Sequence, residues 1–220
     1  MTIPTLIANT NSAKFRSQFK KSISTLNQAG LMAQAQYDID YAATTTACSA
    51  TKANAAAENP DTNLTFCGIL NGTLSGFTYV GDPSALPGKA SGSNYTWVSA
   101  PSLGAMNTYL AYQLADGSLI GFKKDAKACQ LAVGTALTST VINSSTGLKD
   151  CLGFIDVNGV TLPNKEVNCT TGNTAALTPD VPCVVGSDAN HMTDIYPIVF
   201  HDATVEPATN AAKYVLTTSK

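Results

Sequence analysis

The chain has 220 residues with 13 Lys+Arg against 15 Asp+Glu, a formal net charge of -2. Charged residues make up only 13% against 44% hydrophobic, roughly half the usual share of about 25% charged, so Thr (28), Ser (17) and Asn (16) must supply the polar surface. This balance excludes a disordered hub and a basic nucleic-acid-coating protein, and the length suits one domain, or one domain plus an extended element.

From Thr5 to about Tyr41 the only Gly or Pro is Gly30. Phe15, Phe19, Ile23, Leu26, Ala33, Tyr37 and Tyr41 recur mostly three, four or seven apart, one stripe of a long amphipathic helix. Lys14, Arg16, Lys20 and Lys21 crowd its first half, and Asp38 and Asp40 its end. That polarity opposes the helix dipole, as expected of a helix whose true start lies upstream, with Pro4 as an internal kink. The basic cluster reads either as a solvated face or as a contact for anionic lipid headgroups.

The run MTIPTLIANTNSAKFRSQFKKSISTLNQA resembles the prepilin-type N-terminus of bacterial type IV pilins and type II secretion pseudopilins. The likeness covers about 30 residues and lies in the order kink proline, short apolar run, basic amphipathic helix. In that family a membrane helix starts with a methylated Phe and carries a Glu soon after. It often ends in a stretch like Met1–Ile7. Here the peptidase site, the Phe, the Glu and most of the apolar segment are missing, which reads as a truncation or a misplaced start. The resemblance implies a stalk helix over 1–43, truncated at its N-terminus, and a globular head over 44–220. Phe15, Phe19, Ile23 and Leu26 would then pack the helix on the head.

Thr44–Asp61 reads as a low-charge loop with a proline stop. Strand signals follow at Phe66–Leu70, Gly76–Val80 and Tyr95–Ser99. Thr108–Leu114 and Ser118–Lys123 form the clearest hairpin, with Asp116-Gly117 suited to a type I′ turn. Ile195–Phe200 and Tyr214–Thr217 read as a closing strand pair, Pro197 marking an edge. The expected fold class is α+β: a long N-terminal helix on an antiparallel sheet with a disulfide-tied C-terminal region, an arrangement also found in pilins.

Six cysteines, Cys48, Cys67, Cys129, Cys151, Cys169 and Cys183, include no C-x-x-C pair, so neither a zinc ribbon nor a thioredoxin-type site is indicated. Disulfides made outside the cytoplasm are one reading and six reduced, buried thiols the other. Of the possible pairings the sequential set, Cys48–Cys67, Cys129–Cys151 and Cys169–Cys183, closes the short loops, each stabilising by about 3 kcal/mol.

Between Cys151 and Cys169, the phrase Gly153–Gly159 followed by Pro163-Asn164 looks like a D-x-N-G and P-N stretch of the same pilin-like group. Asp156 and Asn158 read either as an Asn-Gly turn or as oxygen ligands for calcium, as in pseudopilin loops. An EF-hand-like pattern would want an oxygen-bearing residue at Phe154. No other cofactor is indicated.

Catalytic constellations are lacking. His191 and His201, near Asp188, Asp194 and Asp202, match no metal-hydrolase motif. Ser75, between Gly72 and Gly76, has the wrong spacing for a nucleophile elbow, and no phosphate or dinucleotide fingerprint occurs. Asn63, Asn71, Asn94, Asn143 and Asn168 match the N-glycosylation pattern at the frequency this composition produces by chance; Ser219 is a candidate for O-linked sugar.

The expectation is therefore a non-enzymatic structural subunit, a major or minor pilin, of a type IV pilus-like extracellular filament. Its partners would be copies of itself and related pilins, and the inner membrane before assembly, with no nucleic acid. A type II secretion pseudopilin and a secreted binding module or adhesin are the alternatives.

Overall fold

The computed structural model describes residues 3–48, 52–61, 63–88, 93–144, 147–172, 177–186 and 191–218, with backbone alone at 3–9 and 52–54. Helix α1 runs Ile3–Tyr37, a length of about 52 Å at 1.5 Å per residue. Phe15, Phe19, Ile23 and Leu26 are all buried, as their spacing predicts, and the stripe continues through Ala29 and Ala33. No acid stands in the first turn. The helix stops four residues short of Tyr41 because Asp38 takes φ +55, a left-handed conformation that ends helices. The reversal buries Tyr41, whose N–H donates to Asp202 O at 2.9 Å and whose hydroxyl donates to Leu26 O at 3.2 Å. Gly30 has a packing reason: a Cβ there would meet the Ala203 carbonyl oxygen at 2.5 Å.

The low-charge loop contains a short helix, α2 (Lys52–Ala57). Phe66–Leu70 is not a strand but the start of helix α3 (Phe66–Thr73). Thr65 decides this, since its hydroxyl caps the Gly68 N–H at 3.0 Å, and a short apolar run alone does not separate the two states. β1 (Phe77–Gly81) follows, then β2 (Tyr109–Leu114) and β3 (Leu119–Lys123). The β2–β3 hairpin turns through Ala115–Gly117 rather than two residues. Gly117 N donates to Leu114 O at 2.9 Å, and Gly117 alone in the turn has positive φ, +86. That is the three-residue loop with a bulge glycine, not type I′.

After helix α4 (Ser139–Asn143) come β4 (Leu152–Asp156), β5 (Thr171–Gly172), β6 (Cys183–Val184), β7 (Ile195–His201) and β8 (Thr204–Pro207). The main sheet is antiparallel with order β1-β2-β3-β4-β7-β8; β5 and β6 pair separately. β7 is thus interior, contrary to the edge expected from Pro197. The proline is tolerated because its carbonyl faces β8, accepting from Ala208 N at 3.0 Å. Its missing N–H faces the same way, just past the end of the β7–β8 register, which starts at Ile198↔Pro207, so β4 loses no bond. Tyr214–Thr217 belongs to helix α5 (Asn210–Thr217), capped by Thr209 accepting from Ala212 N at 3.2 Å. Thr204–Pro207 is the strand that pairs with β7 instead.

Two apolar layers cover the sheet. On one face α1, α3 and α5 share a core with Leu110, Tyr112, Ile120, Phe122, Ile155, Tyr196, Ile198 and Phe200. Phe19 stacks on Tyr196 with ring centroids 4.2 Å apart, and Phe66 touches Tyr41, Phe122 and Phe200. On the other face Tyr109, Ala111, Leu119, Phe154 and Ile195 lie under Tyr95, Leu103 and Trp97. Tyr95–Ser99 is therefore no ladder strand; it crosses that face, making only isolated bridges such as Ser99↔Lys165. The cysteines pair as Cys48–Cys67, Cys129–Cys151 and Cys169–Cys183. Among the described residues no helix is long and apolar enough to cross a membrane.

Candidate functional site

The densest polar chemistry lies under the loop-covered face, at the end of β4. Asp156 is fully buried. Its Oδ2 accepts from the Tyr95 hydroxyl, which accepts in turn from Trp97 Nε1 at 3.1 Å. Its Oδ1 accepts from Asn158 N at 3.1 Å, an Asx turn. Nearby Asp194, also buried, accepts from Asn164 N at 3.0 Å and Lys165 N at 2.8 Å. Glu166 takes the Ser102 N–H at 2.9 Å. These carboxylates hold three otherwise irregular segments by their backbone amides, leaving few buried donors unpaired.

Burial pushes all three acids up. Glu166 rises to about 7, with the Ser102 hydrogen bond opposing, and Asp194 to about 6, with the Lys165 and Asn164 amides opposing. Asp156 rises too, from burial and then from the charge of Asp194 beside it. A carboxylate taken out of water loses hydration faster than its hydrogen bonds restore it.

Asn158 donates its amide to the carbonyls of Thr161 at 3.0 Å and Leu162 at 2.9 Å. With both Asp156 oxygens also bonded, the turn is closed through protein groups. The adjoining cavity is about 90 Å³, lined by Tyr95, Thr96, Leu162 and Asn164 among others, well below the ~300 Å³ of an organic-ligand site. The geometry is that of a clamp.

The residues expected to pack the helix on the head lie elsewhere. Phe15, Phe19, Ile23 and Leu26 face the other side of the sheet and are spent on the fold. The basic cluster is dispersed: Arg16 is buried, its Nη2 donating to Val185 O at 3.1 Å. Lys20 donates to Thr218 O, and Lys21 lies 3.7 Å from Asp116. His201 is buried at the β7–β8 turn, Nδ1 3.0 Å from Asp202 and Nε2 3.8 Å from Glu206. Burial lowers its pKa, but the carboxylates of Glu206 and Asp202 beside it carry it above the usual value. Asn63, Asn94, Asn143 and Asn168 are exposed, whereas Asn71 is tied to the Ala55 and Glu58 carbonyls. Asp188, Ser219 and the side chains of Met1–Ile7 lie outside the described residues.

The sequence pattern marked Asp156, Asn158 and Asn164 but not Tyr95, Trp97 or Glu166, and named Asp194 only as an acid near the two histidines. Tyr95, Glu166 and Asp194 each act across at least 29 residues of chain, Trp97 joins them through Tyr95, and no local period reports such pairings. No family model, curated protein or solved structure matches this chain.

Proposed function

We propose that the chain is the extracytoplasmic part of a type IV pilin-like filament subunit. The observation that carries this reading is α1 itself. Its backbone is helical from Ile3 to Tyr37, and it packs on the head along one buried stripe, Phe15, Phe19, Ile23, Leu26, Ala29 and Ala33. A long helix packed on a head along one stripe, and resembling a prepilin stalk in sequence, suits a subunit held from upstream. The reading rests on the resemblance over about 30 residues and on this architecture.

Leu31 and Met32 support a subunit role. They are 56% and 41% exposed on the outer side of α1, opposite the stripe that meets the head, where a neighbouring copy would find apolar surface. The upstream segment would hold the subunit in the inner membrane before assembly. Three disulfides would keep the exposed head folded outside the cytoplasm.

Shearing the surface of the source cells and probing the filament fraction with an antibody tests this. The subunit is expected in filaments, and Leu31→Asp with Met32→Asp is expected to keep the fold but block incorporation. Recovery of the native protein only as a free monomer in the medium would overturn the proposal.

A further inference from the structure

We infer that reduction of the Cys48–Cys67 disulfide uncovers a zinc site formed by the two sulfurs and the Glu58 carboxylate. One ligand atom from each of Cys48, Glu58 and Cys67 lies within 4.8 Å of the others, the only such grouping of three His, Cys, Asp or Glu among the described residues. The two Cα atoms are 5.8 Å apart, so the thiols stay neighbours once the bond is cut.

The surroundings suit a thiolate site. Cys67 N, in the first turn of α3, donates to Cys48 Sγ at 2.8 Å. A backbone N–H at a helix start favours the deprotonated sulfur. The Thr65 hydroxyl donates to Glu58 Oε2 while its oxygen caps Gly68, so the helix cap also aims the carboxylate, as outer-shell groups do at metal sites. Cys67 is fully buried and Glu58 half-buried, which leaves the carboxylate side as the entry path.

After reduction, two thiolates and a carboxylate would crowd three negative charges, and a divalent cation relieves that repulsion. Two soft sulfurs select zinc over calcium or magnesium, with water in the fourth position. The step balances: a dithiol or phosphine gives two electrons, the S–S bond breaks, and two protons from water or the dithiol make two thiols. Zinc binding then releases both protons. The other two disulfides have no third ligand of this kind among the described residues: Lys127 O lies by Cys129 and Cys151, and Asn210 by Cys169. Reoxidation would expel the ion, so the site belongs to the chain before its disulfide closes.

The test uses the full chain reduced with a phosphine, Zn²⁺ alone as probe, and a chromophoric competitor. The expected result is one zinc per reduced chain and none per oxidised chain. Zinc should protect Cys48 and Cys67 from alkylation while the other four cysteines react. Glu58→Gln should weaken binding on the order of 10-fold, as loss of a group supporting a metal does. Absence of stoichiometric zinc on the reduced chain, folded or not, overturns the site, as does equal protection of another cysteine pair or unchanged affinity in Glu58→Gln.

Discussion

The two faces of the sheet are built by different physics. The helix-covered face is a continuous aromatic and aliphatic core, Phe19 on Tyr196 and Phe66 among Tyr41, Phe122 and Phe200. The loop-covered face carries a smaller apolar patch around Phe154 and Trp97, and its covering segments are held by Asp156, Asp194 and Glu166. Packing holds the first, and hydrogen bonds to buried carboxyl groups hold the second. Acidity should therefore act on one face alone.

The largest effect belongs to the helix face. Phe19→Ala removes the Tyr196 stack and leaves a cavity, so urea unfolding should show a loss of about 3–5 kcal/mol, equal at pH 5 and pH 8. A loss that varied with pH would break the distinction. On the other face Asp194→Ala strands the Asn164 and Lys165 amides, and the same measurement should show a loss of about 2 kcal/mol.

The pH dependence sharpens the contrast further. Glu166, Asp194 and Asp156 have raised values in the fold, so the folded state holds protons that the unfolded chain has released. Stability from these groups is fully present below the ordinary carboxyl range near pH 4 and is lost as pH rises through about 6 to 7. His201, also raised, acts in the same direction. Stability should accordingly fall by a few kcal/mol between pH 5 and pH 8, and Glu166→Gln should flatten the profile. The smallest effect is at a cap: Thr209→Ala frees the Ala212 N–H and should cost about 1 kcal/mol at either pH.

The same contrast decides what the sequence made legible. The α1 stripe, the β2–β3 hairpin and β7 could be read because their burial repeats along the chain at 3.6 or 2 residues. The same signals misassigned Phe66–Leu70 and Tyr214–Thr217, where a single capping threonine tips short apolar runs into helix. Tyr95–Ser99 has strand composition, yet Tyr95 is there to reach Asp156, a contact 61 residues away, with Trp97 bonded to its hydroxyl. Pro163-Asn164 stands out as a motif, and the Asn164 backbone amide is a clamp donor. Nothing local could report that Asp194 is its acceptor.

The central claim, a stalk helix continued from upstream, is tested most directly by intact mass and N-terminal analysis of the native protein from its source cells. The account predicts a mature chain that starts ahead of Met1 with a methylated Phe and about 18 further apolar residues, enough with Met1–Ile7 to span a bilayer. A native chain that starts at Met1 or later and is soluble would contradict it, leaving α1 as a surface helix and the protein as a secreted binding module.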